Sequence, residues 1–374
     1  MFKDFASAPA FVREHGVRMI DLKFCDLWGR WHHVTIAPSD FSLRLMASGV
    51  GFDGSIVGLR KVKSGDMALV PDLSTGFLDP FWEVPTLSFL CNTIEANTKR
   101  LFNHDPRRIA HRAEQFMSTS GVASESRWGP VFEFYIFSQV SMENGVNVAS
   151  YRVDALEASW KSAQSGHGHF LPLHGDYHAI PPADQLYNLR SRMVTALEDL
   201  GIPVKYHHHE VGGPGRCEIE TPMMGLLTAA DSAMIIKYVT RMVAHQNGQT
   251  VTFLPKPLYG ESGSGMHFHQ QLFKDGVNLF YDPGQPNLLS KIAQFYIGGL
   301  LTHAPALLAF TNPSTNSYRS LVPGFEAPIN CFYSSGNRSA AIRIPKYATQ
   351  AEQVRLSTAH QMPHATHTWP WLLF

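Results

Sequence analysis

Three strand-like segments carry carboxylates and imidazoles, residue types that can bind a divalent cation. In Val131-Phe-Glu133-Phe-Tyr135-Ile-Phe137, the strand period of two puts Val131, Glu133 and Tyr135 on one face. Glu133 sits among aromatic neighbours and is costly to bury as an anion unless a cation lies beside it. The second segment, His207-His-His-Glu210, runs into Val-Gly-Gly-Pro-Gly-Arg-Cys-Glu218, and this glycine-rich turn can fold both carboxylates back toward one point. The third, Gly263-Ser-Gly-Met-His267-Phe-His269, sets two imidazoles on one face. Three carboxylates and an imidazole are a hard, oxygen-rich donor set. They favour Mg²⁺ or Mn²⁺ over structural zinc, which more often draws on cysteine. Taken singly, each segment has a plainer explanation. A strand glutamate is ordinarily solvated or ion-paired, a triple histidine ordinarily belongs to a half-exposed strand, and His-x-His is common by chance.

A fourth segment is rich in turn residues. It runs from Asn312 through Arg319-Ser320-Leu-Val-Pro-Gly-Phe-Glu326, then Ser334-Ser-Gly-Asn-Arg338 to Arg343-Ile-Pro. Arg338 and Arg343 can clamp a phosphate or carboxylate in bidentate fashion, or serve as surface salt-bridge donors.

The elements that must position these groups can be read from periodicity. Ile20, Leu22 and Phe24 alternate along one strand, Asp26-Leu-Trp-Gly29 turns the chain, and Trp31–Ile36 forms a second. Strand-like segments dominate to about residue 100. At Asp105-Pro106 the pattern becomes helical, with Asp105 as cap and Pro106 at the first position, continuing to Gly121. A domain boundary is expected here, separating residues 1–104 from 105–356. Beyond it Phe132–Phe137 reads as a strand and Ala229–His245 as a helix.

Composition narrows the classes. The 374 residues are 44% hydrophobic and 17% charged, with Lys+Arg and Asp+Glu balanced at 31 each, so charge suggests neither a nucleic-acid nor an anionic-membrane partner. The cysteines, Cys25, Cys91, Cys217 and Cys331, are far apart and read as reduced thiols in or near the core of a cytoplasmic protein. Residues 1–16 lack the apolar run of a signal peptide. The most apolar stretch, Ile297–Phe310, contains His303 and Pro305 and is expected to be too short for a bilayer.

In this order and spacing, the four segments resemble the class I glutamine synthetases, and Gly-Phe-Asp53-Gly-Ser resembles that family's ammonium-site loop. The likeness runs from Val17 to Arg355. It implies an α+β fold: an N-terminal β-grasp domain followed by a catalytic domain whose curved antiparallel sheet is flanked by helices. It implies a dodecamer of two stacked hexameric rings, with glutamate, ATP and ammonia as substrates, γ-glutamyl phosphate as intermediate and Mg²⁺ or Mn²⁺ as cofactor. By position, Glu133, Glu210 and Glu218 match ligands of a first metal and His267 a ligand of a second. His269 matches an ATP contact, and Gly263 lies where backbone touches glutamate. Arg338 and Arg343 match the arginines on the transferred phosphoryl group, and Arg355 falls among the substrate- and ATP-binding positions. Asp53, supplied by a neighbouring subunit, Glu326 on the flap, and Tyr177 match ammonium-site positions.

The chain also departs from that pattern. Val131 replaces a second-metal carboxylate, Ser320 replaces an arginine that holds glutamate's carboxylate, and Arg216 stands where glutamine is usual. Ser357 and Ala359 stand where a metal glutamate and a substrate arginine belong. From Ser357 to Phe374 there is no acidic or basic group other than histidine. Codons can be chosen for this tail that, with one base restored before them, encode Glu-Tyr-Arg-Thr-Pro-Asp-Ala-Thr-Cys-Asn-Pro-Tyr, the family's next segment. The expectation is therefore an out-of-frame tail over residues 357–374 and a catalytic domain lacking its C-terminal helices. The resemblance thus implies a glutamate–ammonia ligase impaired in this copy. The alternatives are an inactive homologue serving as a scaffold or regulatory subunit, or a γ-glutamyl ligase for another amine. Asp53 and Glu326 argue for ammonium over that last reading.

Overall fold

The computed structural model describes residues 1–161 and 168–360. These form two compact units, one of Met1–Gln115 and one that begins at Phe116. In the first, β1 (Met19–Cys25) and β2 (Trp31–Ile36) are the two strands expected from alternation. They join β3 (Val50–Asp53), β4 (Asp66–Pro71), β5 (Phe77–Leu78) and β6 (Thr86–Glu95) in a sheet of order β2-β1-β6-β4-β3, with β5 also on β6. β1 and β6 run parallel and the other pairs antiparallel. Ile20, Leu22 and Phe24 pack with Leu87 and Phe89 in the core. The intervening face of β1 is buried too. Asp21 and Lys23 lie there as an ion pair, with Asp79 3.4 Å from the same ammonium, which is how a buried charge stays tolerable.

Asp105 caps the helix Pro106–Thr119 as the sequence predicts: its Oδ1 accepts the N–H of Arg107 at 3.1 Å, and its Oδ2 that of Thr93 at 2.8 Å.

In the second unit the long β7 (Glu125–Phe137) is followed by a separate hairpin of β8 (Gln139–Asn144) and β9 (Ala149–Asp154). β10 (Tyr206–His209), β11 (Arg216–Glu220), β14 (Met266–Lys274), β16 (Asn330–Ser335), β17 (Ala340–Ile344) and β18 (Leu356–His360) build a sheet of order β10-β11-β7-β14-β18-β17-β16. The short β12 (Met224–Gly225), β13 (Thr250–Thr252) and β15 (Val277–Asn278) pair along its sides. All described pairs are antiparallel except β16 with β17. The helix Leu226–Gln246 lies against β7 and β13 and is buried along most of its length.

Two expectations change. The apolar stretch around Ile297 belongs to an unbroken helix, Lys291–Thr311, which is long and apolar enough by length and composition to cross a membrane. Pro305 does not end it. A proline lacks the N–H that would bond the carbonyl four residues back, and here the Leu301 carbonyl instead receives the Cys331 thiol at 3.9 Å. That contact goes with the second correction: Cys331 is exposed, whereas Cys25, Cys91 and Cys217 are buried as expected. Ser357 and Thr358, the first residues after Leu356, are buried in β18. The tail residues 361–374 lie outside the described residues.

Candidate functional site

The register of β7, β11 and β14 assembles the site. Glu218 stands opposite Glu133, Arg216 opposite Tyr135, and His267 opposite Val131. Directly opposed residues share a face, so Glu133, Glu218, Arg216, His267 and His269 project together. Like charges set directly opposite destabilise a sheet, and the Glu133–Glu218 pair therefore calls for a cation.

Two features of the turn between β10 and β11 shape this corner. Gly215 has φ +91°, and a Cβ there would lie 2.5 Å from the Ile136 carbonyl, so glycine is required. The buried Tyr135 hydroxyl is 2.6 Å from the carbonyls of both Gly212 and Ser262 and donates to one of them, tying the turn to the Gly263 segment.

Glu133 is buried and accepts at Oε2 from the Arg216 guanidinium and, at 2.6 Å, from the Gly265 N–H; its Oε1 lies 3.6 Å from His267 Nε2. Burial would raise its carboxyl, but Arg216, His267 and that N–H hold it below the usual carboxylate range. Glu210 differs. Burial, together with the Glu133 and Glu218 charges, pushes its carboxyl up to about 8 against the pull of Arg216. His208 lies between Glu210 (3.5 Å) and Glu218 (3.2 Å). Burial disfavours its charged form, yet the Glu218 hydrogen bond and both carboxylate charges raise it overall.

A cavity of about 580 Å³ opens over these groups, lined by Glu133, Glu210, Glu218, His267, Arg338 and Arg343 among others. Tyr177, His269 and Glu326 also border it. Tyr177 is exposed and stacks on His178 with ring centroids 4.0 Å apart. Buried His269 lies 3.8 Å from Glu220, is held well below its ordinary range by burial and by Arg355, His267 and Arg343, and has no partner for Nδ1 among the described residues. Arg338 lies 3.5 Å from Glu326, both exposed. Arg355 donates to the Gln353 carbonyl at 3.3 Å. A small pocket of about 30 Å³ is bordered by Gly263, Ser320 and Glu326. Ser320 is buried there, so close to Gly263 that a Cβ on the glycine would strike its hydroxyl, while Arg319 is exposed. Asp53 lies in the first unit, where its Oδ1 accepts from the Ser55 N–H and hydroxyl at 2.8 and 2.7 Å.

The donor sets on the two sides of the cavity fit divalent ions unequally. His208, Glu210 and Glu218 each offer a ligand atom within 4.8 Å of the others, and the raised Glu210 carboxyl marks negative charge that is not fully compensated. This corner fits an ion. On the other side His267 faces Val131 on β7 and the Ala359 position on β18, and His269 pairs with Ser357. His267 nears Glu133 at 3.6 Å, but Arg216 already holds that carboxylate, and Val131, Ser357 and the Ala359 position add no carboxylate for a second site.

Periodicity could have found more than it did. In β10 His208 faces Glu218, so His207 and His209 must face away. His209 is fully buried on Glu157 (2.7 Å), a residue with no motif around it, whose carboxylate also takes the Gly215 N–H at 2.8 Å. The reach of Arg216 to Glu133 follows from β11 pairing with β7, which the sequence does not state.

Family models extend the picture. Residues 103–367 match the model described as "Glutamine synthetase, catalytic domain" and residues 16–96 the one described as "Glutamine synthetase, beta-Grasp domain". A glutamine synthetase of Frankia alni is 45% identical over 350 residues, covering 92% of this chain and 74% of the relative. A protein of Cupriavidus pinatubonensis named 3-hydroxylaminophenol mutase is 42% identical over 368 residues, covering 97% and 78%. The cryo-EM structure of Plasmodium falciparum glutamine synthetase superposes with a TM-score of 0.91 at 26% identity, covering 100% of this chain and 74% of that one.

Proposed function

The chain belongs to the glutamine synthetase family, and from that premise we propose that its cavity is built for ATP-dependent ligation of ammonia to L-glutamate but turns over poorly. The observation that carries this reading is the convergence of Glu133, Glu210, Glu218 and His267 on one cavity with Arg338, Arg343 and Glu326. In the proposed reaction a γ-carboxylate oxygen of glutamate attacks the γ-phosphorus of ATP and ADP leaves. Ammonia then attacks the carboxyl carbon of the γ-glutamyl phosphate, the carbon–oxygen bond breaks as phosphate departs with its electron pair, and the added nitrogen sheds one proton to leave the amide. Arg338 and Arg343 face the transferred phosphoryl group and offset its charge. His269, with Nδ1 unpartnered, contacts the nucleotide. Gly263 meets glutamate through its backbone, and Arg355 adds a contact to the bound substrates. Glu326, with Tyr177 beside it and Asp53 from a neighbouring subunit, receives the proton that ammonium gives up. A divalent ion, Mg²⁺ or Mn²⁺, held by Glu210 and Glu218 would supply positive charge against the nucleotide phosphates.

Poor turnover follows from four replacements. Val131 and Ser357 bring no carboxylate to His267, Ser320 offers no charge to glutamate, and Arg216 is committed to Glu133. These same residues favour a second reading, a non-catalytic subunit within a ring assembly. A third reading is a γ-glutamyl ligase for another amine, and Asp53 and Glu326 argue against it. We read the protein as cytoplasmic, with its functional division near Asp105, and the residues after Leu356 as the product of a single-base shift. Sequencing the locus decides that last point, because an intact frame encoding Ser357 onward removes it. For the activity, the purified chain given ATP, Mg²⁺, glutamate and hydroxylamine is expected to form little or no γ-glutamyl hydroxamate. Turnover near that of the family's enzymes overturns the impaired-site reading.

A further inference from the structure

We propose that Arg216 is a resident cation that takes the place of a bound divalent ion at Glu133, leaving one exchangeable cation corner at His208, Glu210 and Glu218. The inference rests on the reading that Glu210 and Glu218 hold a divalent ion.

The geometry follows from register. Arg216 and Glu218 lie two apart on β11 and share a face, so the arginine side chain reaches diagonally to the Glu133 carboxylate that Glu218 directly opposes. The guanidinium is 5% exposed. Its Nη2 is bonded to Glu133 Oε2 and donates to the Gly263 carbonyl at 2.7 Å. Its Nη1 donates to the Val211 carbonyl and lies 3.8 Å from Glu210 Oε1. Glu133 Oε2 therefore has two donors already, Arg216 and the Gly265 N–H, and an ion bound to that oxygen at a typical distance of ~2.1 Å would fall where the guanidinium nitrogen stands.

The chemistry points the same way. A guanidinium keeps its proton at any working pH and is tied to the backbone, so neither dilution nor a chelator removes it. It neutralises one of two directly opposed carboxylates, which is how Glu133 can be buried as an anion. It also binds through a planar fork and offers no open coordination position, so it can compensate charge without accepting a ligand oxygen.

The test uses the full chain, Mn²⁺ alone as probe, and paramagnetic resonance to count free ion, alongside thermal melting. Arg216→Gln is expected to tighten Mn²⁺ binding by about tenfold or more, because Glu133 becomes a third carboxylate at the remaining corner. Glu133→Gln combined with Arg216→Gln should return the affinity to that of the parent chain. If Arg216→Gln does not fold alone, folding on addition of Mn²⁺ supports the proposal, since the missing charge is then supplied from solution. Parent-like Mn²⁺ affinity in folded Arg216→Gln overturns it. So does an Arg216→Gln chain that stays unfolded with Mn²⁺, whether or not the double variant folds, because the guanidinium then does something an ion cannot. Glu218→Gln in the parent separates the premise from the inference. If it leaves Mn²⁺ binding intact, the metal reading itself fails, whatever Arg216 does.

Discussion

The β10–β11 side of the cavity carries Glu210, Glu218, His208 and a guanidinium facing Glu133, while the β14–β18 side carries His267 between Val131 and Ala359, with Ser357 beside His269. Both sides belong to one continuous sheet and are equally well formed as backbone. They differ in charge. On the first side every anion is paired or awaits a cation, and the buried groups interlock. On the second a buried methyl-bearing side chain and a buried hydroxyl, Val131 and Ser357, stand beside the imidazoles. A sheet can thus keep the geometry of a site while losing its chemistry, because register depends on backbone and burial rather than on the identity of outward groups.

If that contrast is right, the charged side should be the fragile one. Its deepest support is the pair His209–Glu157, fully buried at 2.7 Å, with Glu157 also holding the Gly215 N–H at the turn. Glu157→Ala takes this partner from the buried His209 imidazole and from the Gly215 and Gln185 amides, and should cost about 3–5 kcal/mol in urea unfolding. A loss below about 1 kcal/mol would mean the turn is held by packing alone, and the contrast between the two sides would break.

This pair also shows where the sequence stopped being legible. Glu133, Glu210, Glu218, His267, Arg338 and Arg343 announce themselves by type and by the strand period, and all of them line the one cavity. The alternating strands and the Asp105 cap were readable because they depend on neighbours in sequence. Glu157 and the reach of Arg216 were not, since each depends on a partner brought near only by sheet order. The helix Lys291–Thr311 was misjudged for a related reason: Pro305 breaks a helix only if the carbonyl it frees has nowhere to go, and Cys331 comes from a distant strand.

The apolar side can be probed by restoring charge. Val131 is buried opposite His267. Val131→Glu alone places a carboxylate opposite both His267 and the buried Glu220, and should lower stability by about 2 kcal/mol in metal-free buffer. Adding Ser357→Glu should raise the bound Mn²⁺ from one per chain to two. An unchanged count in the folded double variant would show that this side has lost more than its carboxylates.

Proton competition sharpens the comparison further, since it should act on one side only. Burial and two neighbouring anions raise Glu210 from 4.5 to about 8. With the folded value above the unfolded one, its contribution to metal-free stability is fully present below about 4.5 and is lost as pH rises to about 8. Metal binding runs the opposite way, because the ion needs the ionised form. Mn²⁺ affinity should therefore fall about tenfold for each pH unit below 8, until the neighbouring carboxylates protonate as well. A flat affinity between pH 6 and 8 would mean that Glu210 is already ionised and does not share its negative charge with Glu133 and Glu218.

The smallest effect is expected at Arg319, and it bears on whether the poor side has a hidden cation. Arg319 precedes Ser320 at the end of a short helix, and a slip of one residue would offer glutamate the positive charge that Ser320 lacks. Adjacent side chains on a helix point about 100° apart, and here the serine is buried against Gly263 while the arginine is exposed. For Arg319 to reach the small pocket, the buried serine and the close approach at Gly263 would both have to give way. Arg319→Ala should then leave stability within about 0.5 kcal/mol and glutamate affinity, read by calorimetry with ATP present, unchanged. A clear loss of glutamate binding would show that the segment rearranges to lend its arginine, and the cavity would be less one-sided than its register makes it.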